Sequence, residues 1–155
     1  MLACGPAGAA ETAAADFVVV DKSERTLTLF AQGRPFHVID EIQLGNEPAG
    51  HKQFEGDERT PEGRYTIDFR NPASAYHLSL HISYPDHADR AFAKTRGRSP
   101  GGDIFIHGQP NGLADAHAGA RIKGDWTDGC IAVSNAEIEY LWQAIRDRIP
   151  IAIVP

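Results

Sequence analysis

The chain has 155 residues, which is enough for one domain with a single hydrophobic core. Its apolar fraction of 42% and charged fraction of 23% are ordinary for a globular protein, and its formal net charge of −6 disfavours nucleic acid as a partner, because phosphate backbones are bound by basic surfaces. No apolar run approaches the roughly 20 residues that a membrane-spanning helix needs, so no transmembrane helix is predicted.

Residues 1–15 are predicted to form a flexible tail, because they are small, rich in Ala and Gly and without hydrophobic period. Within them Leu2-Ala3-Cys4-Gly5 is similar to the end of a bacterial lipoprotein signal, in which the cysteine is lipidated after cleavage. Two interpretations stay open, a lipid anchor at Cys4 and a plain tail. The folded domain is expected at residues 16–155.

The segment from residue 16 to residue 44 predicts three strands joined by tight turns. Residues 16–21 (DFVVVD) are apolar and β-branched, residues 26–31 (TLTLFA) alternate polar and apolar, and residues 35–44 follow a Gln-Gly-Arg turn. Because connections this short join antiparallel neighbours, we expect a meander.

Residues 45–63 predict a long loop, since glycines, prolines and charged residues interrupt any period. Loops of this length in compact domains are usually functional or disordered. Strands are predicted again at residues 64–69 and 76–83, followed by a short helix at 86–95 with Asp86 as its N-cap.

The remaining residues predict one short buried strand, at 103–107, and one clear helix near the end of the chain. A loop is expected from residue 108 to residue 126, with a helical turn near 113–117. Ser134 and Glu137 have the capping-box spacing, and an apolar face follows that Pro150 should end before a last strand at 151–154. The predicted fold class is mainly β, with one or two helices around a sandwich-like core.

Cys130 is the residue that most clearly indicates chemistry. The other cysteine, Cys4, lies in the tail, so a disulfide framework is excluded. Gly129 allows a sharp turn and a close approach of a ligand, and a capped helix just beyond supplies oriented backbone N–H groups that favour a thiolate or an oxyanion. The alternative interpretation of Cys130 is a small buried hydrophobe.

His107 is the candidate base for that thiol. It ends a buried strand and precedes Gly108, so its ring can lie at the mouth of a site. An imidazole can take the proton of a thiol and later protonate a leaving amine. The alternative is a histidine whose nitrogens are satisfied in the core, and the pairing with Cys130 needs a tertiary structure to establish it.

Two separated motifs resemble the L,D-transpeptidase (YkuD) family. Residues 103–108 (DIFIHG) and 127–130 (TDGC) are similar to its His-Gly pair upstream of Ser/Thr-x-Gly-Cys, and residues 56–65 (GDERTPEGRY) are similar to its G-x-x-x-T-P-x-G-x-Y segment. The resemblance extends over roughly residues 16–154. It implies a single-domain β-sandwich of mixed sheets and no cofactor.

What the family does is carried over position by position. Cys130 would attack the carbonyl of a peptidoglycan stem peptide between its third, diamino-acid residue and its fourth, D-residue, with His107 as general acid and base. Backbone N–H groups of Gly129, Cys130 and Gly108 would form the oxyanion hole, and a backbone carbonyl would orient the imidazole. The acyl-enzyme would pass to an amine or to water.

The sequence departs from the family pattern at two positions. Asp128 stands where many members have His or Lys, and Ala132 stands where many have an arginine that helps to hold a substrate carboxylate. The segment between the two motifs is also longer than is common. These features resemble the branch that includes hydrolytic members, so an L,D-carboxypeptidase or amidase is the first alternative.

Two further alternatives are considered. A sortase-like transpeptidase would need an arginine on a strand soon after the cysteine and a Thr-Leu-x-Thr-Cys run, and neither is present. An inactive wall-binding module would not need a thiol and a histidine.

Five side chains are candidates for substrate contact. Arg59 and Lys123 would supply the positive charge that is missing at position 132, and otherwise they are solvated loop charges. Trp126 and Tyr76 would wall the pocket, and otherwise they pack in the core. Asp128 is a candidate substrate contact whose alternative is a loop cap.

No metal site is predicted. His77 and His81 lie four residues apart on one strand face and could hold zinc with Asp103, His117 or Cys130. However, no close pair has the spacing that zinc ligands usually show.

A peptidoglycan enzyme works outside the cytoplasmic membrane. We therefore expect a periplasmic or cell-surface monomer, tethered to the membrane if Cys4 is lipidated.

Overall fold

The computed structural model describes residues 13–113 and 119–155. Within these ranges the chain forms eight strands and two helices. The strands are β1 (Phe17–Asp21), β2 (Thr26–Ala31), β3 (Arg34–Ile39), β4 (Gly63–Ser74), β5 (His77–Ile82), β6 (Phe105–His107), β7 (Ile131–Ala132) and β8 (Ile149–Val154), and the helices are α1 (His87–Thr95) and α2 (Asn135–Ala144).

The strands belong to one hydrogen-bonded sheet in the order β3-β2-β1-β8-β4-β5-β6-β7. The β1–β8 and β6–β7 pairs are parallel and the other pairs are antiparallel. The sheet is therefore mixed, which confirms the predicted fold class of mainly β with two helices. The first three strands form the predicted antiparallel meander.

The core is formed by the side chains on one face of the strands, since buried and exposed residues alternate along them. Every second residue of the central strands is buried, and α2 adds its apolar face from one side. Each such aliphatic side chain contributes about 1.5–3 kcal/mol by leaving water. The fully buried members include Val18, Val20, Leu27, Leu29, Ile106, Ile131, Ile138 and Leu141.

The third strand is shorter than predicted. It ends at Ile39, because the chain then turns toward the far end of the sheet. There Gln43 exchanges two backbone hydrogen bonds of 2.8 Å with Ala132, which no local pattern could reveal. The preceding hairpin turn has left-handed backbone at Gln32 (φ 52°) and Gly33 (φ 75°), as a tight two-residue turn requires.

Both helices begin where their capping signals predict. Asp86 caps α1 and Ser134 caps α2, each in a complete capping box with the third helical residue. The end of α2 was predicted wrongly, since the helix stops at Ala144 and Pro150 lies inside β8 opposite Thr66. Proline is tolerated there because the pairing of β8 with β1 begins only at the next residue.

Two predictions fall on residues outside the described ranges. The lipid anchor at Cys4 lies before residue 13, and most of the helical turn expected near 113–117 lies in the gap. No helix in the described ranges is long and apolar enough to cross a membrane.

A buried lysine fastens the long loop 45–63 to the sheet. The Lys22 ammonium donates to the Gly50 carbonyl at 2.7 Å, to the Thr60 carbonyl at 3.0 Å and to the Glu62 carboxylate at 2.9 Å. All three of its hydrogens thus have acceptors, which is the condition under which a charge can be buried.

Replacement of Lys22 by methionine should destabilise the fold. The thioether keeps the length of the side chain but leaves Glu62 and the two carbonyls without their donor, so we expect the free energy of unfolding to fall by about 3 kcal/mol. Urea denaturation measures this. Lys94→Met, on the exposed surface of α1, is the matched control and should change it by less than about 0.5 kcal/mol. Equal effects of the two substitutions would contradict the anchoring role.

Candidate active site

Two neighbouring short strands bring Cys130 and His107 together. In the parallel pairing of β6 and β7, Ile106 lies opposite Ile131 and His107 lies opposite Ala132. Because side chains alternate between the two faces, Cys130 and His107 point to the same face of the pair, two residues apart along it.

Both side chains open into one cleft of about 980 Å³. The cleft runs between the loops that precede β6 and β7, the loop 45–63 and the turn between β4 and β5. Three of the predicted substrate contacts line it with them, namely Tyr76, Trp126 and Asp128.

The imidazole of His107 is held in one orientation and one tautomer. Its Nδ1 lies 2.7 Å from the carbonyl oxygen of Gly108, which can only accept, so Nδ1 carries the hydrogen and Nε2 is left as a base. The ring stacks on Tyr76 with centroids 4.4 Å apart and meets the edge of Trp126 at 5.6 Å. Burial lowers its pKa, so the imidazole is neutral at neutral pH.

The thiol of Cys130 is neutral in the resting structure. Its Sγ accepts from the Phe105 N–H and donates to the Asp103 carbonyl, both at 3.4 Å. Burial raises the pKa of Cys130 to about 11, and the carboxylates of Asp128 and Asp103 add to this, against the opposing effects of the Phe105 N–H and the Lys52 ammonium. A nearby N–H group does favour the thiolate, as expected, but burial outweighs it.

The three amides predicted for an oxyanion hole differ in their availability. The Gly108 N–H donates to the Tyr76 carbonyl at 3.0 Å, and the Gly129 N–H donates to the Thr127 hydroxyl at 3.2 Å. The Cys130 N–H has no acceptor among the described residues. It is the one of the three that is free to bind an oxyanion.

Gly129 is required by a close approach of two backbone segments. Its φ of 129° is accessible in practice only to glycine, and a Cβ there would lie 2.5 Å from the carbonyl oxygen of Arg59. Arg59 thus contributes its backbone behind the Gly129–Cys130 turn, while its guanidinium lies beside Gly50 and does not line the cleft.

The cation that lines the cleft is Lys52, which the sequence reasoning missed. Its ammonium donates to the Asp57 carboxylate at 2.7 Å and to the Phe54 carbonyl at 3.0 Å. Burial acts to raise the pKa of Asp57, but the hydrogen bonds from Lys52 and from backbone N–H groups outweigh it and hold that pKa below its usual value. Lys123 lies elsewhere, at a second cavity of about 690 Å³.

Two buried glutamines fix the segment that covers the imidazole, and no sequence pattern marked them. The Gln109 side-chain amide donates to Gln43 Oε1 at 3.0 Å and to the Val133 carbonyl at 2.8 Å. Gln43 Oε1 also accepts from the Trp126 indole N–H at 3.0 Å. Trp126 is thereby held over the histidine.

Asn135 has a role beyond its place in the first turn of α2. Its Oδ1 accepts from the Gln109 N–H at 2.8 Å, and it fills the space where a Cβ on Gly108 would stand, 2.6 Å away. The helix start is therefore tied directly to the residues that follow the histidine.

Residues considered for zinc are separated in the structure. His77 pairs with Glu139 and His81 pairs with Asp68, while His117 lies outside the described ranges. Across residues 13–113 and 119–155, no group of three or more His, Cys, Asp or Glu side chains is placed to hold a metal ion.

A comparison with known families matches nearly the whole chain. The family model described as "L,D-transpeptidase catalytic domain" (YkuD) matches residues 15–153.

Relatives of known name match over a similar range. The Escherichia coli (strain K12) protein named "Putative L,D-transpeptidase YafK" is 27% identical over an alignment of 139 residues, and the match covers 86% of this chain and 48% of that protein. The chain thus spans about half the length of this relative.

Solved structures show the same fold. The helical cell shape determining protein Pgp2 from Campylobacter jejuni superposes with a TM-score of 0.69 at 29% identity, over 88% of this chain and 46% of that one. An L,D-transpeptidase from Xylanimonas cellulosilytica superposes with a TM-score of 0.56 at 16% identity, over 92% of this chain and 61% of that one. The second likeness concerns the fold alone.

Alanine at position 129 should damage the site more than alanine at another glycine with positive φ. Gly129→Ala introduces both backbone strain and the clash with Arg59, whereas Gly124→Ala (φ 71°) meets no atom within 4 Å. We expect Gly129→Ala to cost at least about 2 kcal/mol more in the free energy of unfolding, measured by urea denaturation. A difference below the error of the measurement would show that the two segments can separate.

Alkylation of Cys130 should report a high pKa. With Cys4 replaced by serine, the rate with iodoacetamide should rise by about 10³-fold between pH 7 and pH 10, because only the thiolate reacts and its fraction grows tenfold per pH unit below about 11. A small free thiol such as glutathione is the control and should level off near pH 9. A rate for Cys130 that levels off by pH 8 would contradict a neutral resting thiol.

Proposed function

The chain belongs to the L,D-transpeptidase catalytic domain (YkuD) family, and we propose that it is a peptidoglycan-modifying cysteine acyltransferase acting on stem peptides. The observation that carries the proposal is the geometry of one pair. A neutral imidazole with a free Nε2 and a cysteine thiol lie on one face of the β6–β7 pair and open into one cleft.

The first step joins the thiol to the donor stem. In the resting structure the thiol points to Asp103 and no hydrogen bond among the described residues joins it to His107, so it rotates toward Nε2 when substrate enters. Sγ attacks the carbonyl carbon as the thiol proton passes to Nε2. The oxyanion accepts a hydrogen bond from the Cys130 N–H.

The second step releases the terminal residue and regenerates the enzyme. The imidazolium gives its proton to the departing amine, the C–N bond breaks and a thioester remains on Cys130. An acceptor amine then attacks the thioester and loses its proton to His107. Sγ leaves and takes that proton back, so the new amide is formed and the thiol is restored.

Neutral partners suit this cycle. A thiol with a raised pKa and an imidazole with a lowered pKa do not exchange a proton before substrate is present. Proton transfer becomes favourable only together with formation of the C–S bond.

Lys52 is proposed to hold a carboxylate of the stem. Position 132, where many family members have arginine, is occupied by an alanine with no exposed surface. Lys52 lines the cleft, and two of its three N–H hydrogens have acceptors among the described residues. Its third hydrogen has no acceptor among the described residues, and because the side chain is only 4% exposed, a stem carboxylate would reach it only at the wall of the cleft.

The acidic lining of the cleft favours an amine as the acyl acceptor. Glu55, Glu58, Asp103 and Asp128 give the cleft a negative potential, which raises the local concentration of a cationic amine. Transfer to water, as in an L,D-carboxypeptidase or amidase, is the alternative outcome. An inactive wall-binding module is the outcome if neither product forms.

The setting proposed for this activity is the cell envelope. Peptidoglycan lies outside the cytoplasmic membrane, and one structural relative is described as a determinant of helical cell shape. We extend that context to this chain as a periplasmic or cell-surface enzyme, monomeric and tethered if Cys4 is lipidated.

The proposal is tested with disaccharide-tetrapeptide muropeptides and excess glycine, with products identified by mass spectrometry. Exchange of the terminal residue for glycine, or formation of dimers, is the expected result. Cys130→Ala should abolish it, and His107→Gln, which keeps a similar shape, should reduce the rate by about 10³-fold or more.

Each other outcome has a definite meaning. Loss of the terminal residue to water alone would make the protein a carboxypeptidase. Equal turnover by the wild type and Cys130→Ala, or no turnover by either, would overturn the proposed donor reaction.

A further inference from the structure

Two neighbouring phenylalanine rings, each covered by an arginine side chain, lie beside the cleft. The Arg98 guanidinium lies 4.0 Å from the centroid of the Phe54 ring, the Phe54 and Phe92 rings are 5.9 Å apart, and the Arg96 guanidinium lies 3.9 Å from the Phe92 ring. We call these four residues the arginine–phenylalanine ladder. Stacking on an aromatic face holds a guanidinium in place while its N–H groups stay free.

The two guanidiniums of the ladder have no carboxylate within 4.0 Å among the described residues, whereas the buried lysines and several other arginines are paired. Arg96 and Arg98 are both exposed. A chain with a net charge of −6 therefore presents two positive groups here, one on each phenylalanine ring, and Arg96 also donates one N–H to the Thr95 hydroxyl at 3.1 Å.

The ladder adjoins the rim of the cleft. Phe54 is followed by Glu55 and Arg98 is followed by Ser99, and these two neighbours line the cleft and are joined by a hydrogen bond from the Glu55 N–H to the Ser99 carbonyl at 2.9 Å. A polymer that leaves the cleft across this rim meets the ladder next.

We propose that the arginine–phenylalanine ladder binds carboxylates of the peptidoglycan strand outside the stem that reacts. This inference rests on the proposed function, since it takes the polymer in the cleft to be peptidoglycan. Planar guanidiniums bind carboxylates through two parallel hydrogen bonds. The free carboxylates of neighbouring stems repeat along the wall, and an acidic enzyme is otherwise repelled by such a polymer.

The test measures sedimentation of the Cys130→Ala protein with purified, insoluble peptidoglycan at low salt, so that no turnover occurs. Arg96→Gln with Arg98→Gln should weaken binding by about fivefold, the effect of two exposed ion pairs of ordinary strength. The matched control is Arg90→Gln with Lys94→Gln. It removes the same charge from α1 itself, away from the ladder arginines that follow this helix, and should change binding by less than twofold.

A second comparison identifies the group that is bound. Peptidoglycan whose carboxylates have been converted to methylamides should bind the unaltered ladder no better than the glutamine variant. Arg96→Lys with Arg98→Lys keeps the charge but loses the planar guanidinium that stacks on the ring. Its affinity for unmodified peptidoglycan should therefore lie between that of the unaltered ladder and that of the double glutamine variant.

Several results would overturn the inference. The first is that the ladder and control variants lose equal affinity for peptidoglycan. The second is that the unaltered ladder binds the amidated wall as tightly as the untreated wall. The third is that the ladder variant loses more affinity for anionic lipid vesicles than for peptidoglycan. Circular dichroism of each variant checks that it is folded.

The two proposals can fail separately. Wall binding that depends on the ladder, with no turnover of soluble tetrapeptide by the active protein, would refute the acyl transfer and keep the ladder. Turnover of the tetrapeptide, with wall binding that does not change when the ladder is altered, would keep the acyl transfer and refute the ladder.

Discussion

The parallel pairing of β6 with β7 is the constraint on which the site depends. It sets Cys130 beside Phe105 and two residues from His107 on the same face, so that a shift of one residue would turn the thiol toward the core. The pair lies at the edge of the sheet and is only a few residues long, and it is held from outside by the backbone bonds between Gln43 and Ala132. Gly129 is part of the same constraint, because only glycine lets loop 45–63 pack directly behind Cys130.

Burial then decides the protonation states of the pair. The same packing that fixes the imidazole between Tyr76 and Trp126 removes water from it, so its pKa falls, while the pKa of the Cys130 thiol rises. The packing that fixes the orientation of the imidazole is therefore also the reason that it is neutral. The hydrogen bond from His107 Nδ1 to the Gly108 carbonyl selects the tautomer, so no charged partner is needed for that purpose.

Charge is distributed unevenly around this neutral pair. Carboxylates line the cleft with the single lysine Lys52 among the described lining residues, and the unpaired guanidiniums of Arg96 and Arg98 lie just beyond the rim. The proposed substrate, an anionic wall strand whose stems also carry amines, would meet carboxylates in the cleft and cations at its rim. Net charge alone, at −6, predicts repulsion from an anionic polymer and gives no hint of this arrangement.

Local patterns in the sequence were enough to predict the elements and to single out the candidate site residues, because alternation, capping boxes and glycine positions act over a few residues. It predicted the meander, both helix starts and the Gly129-Cys130 turn, and the family resemblance named His107 as the base. Only the tertiary structure decided which cation enters the cleft, since Lys52 and Arg59 lie in one loop and differ only in how that loop folds back. It also decided the neutral thiol, because burial and long-range contacts, which shift a pKa, have no local signature.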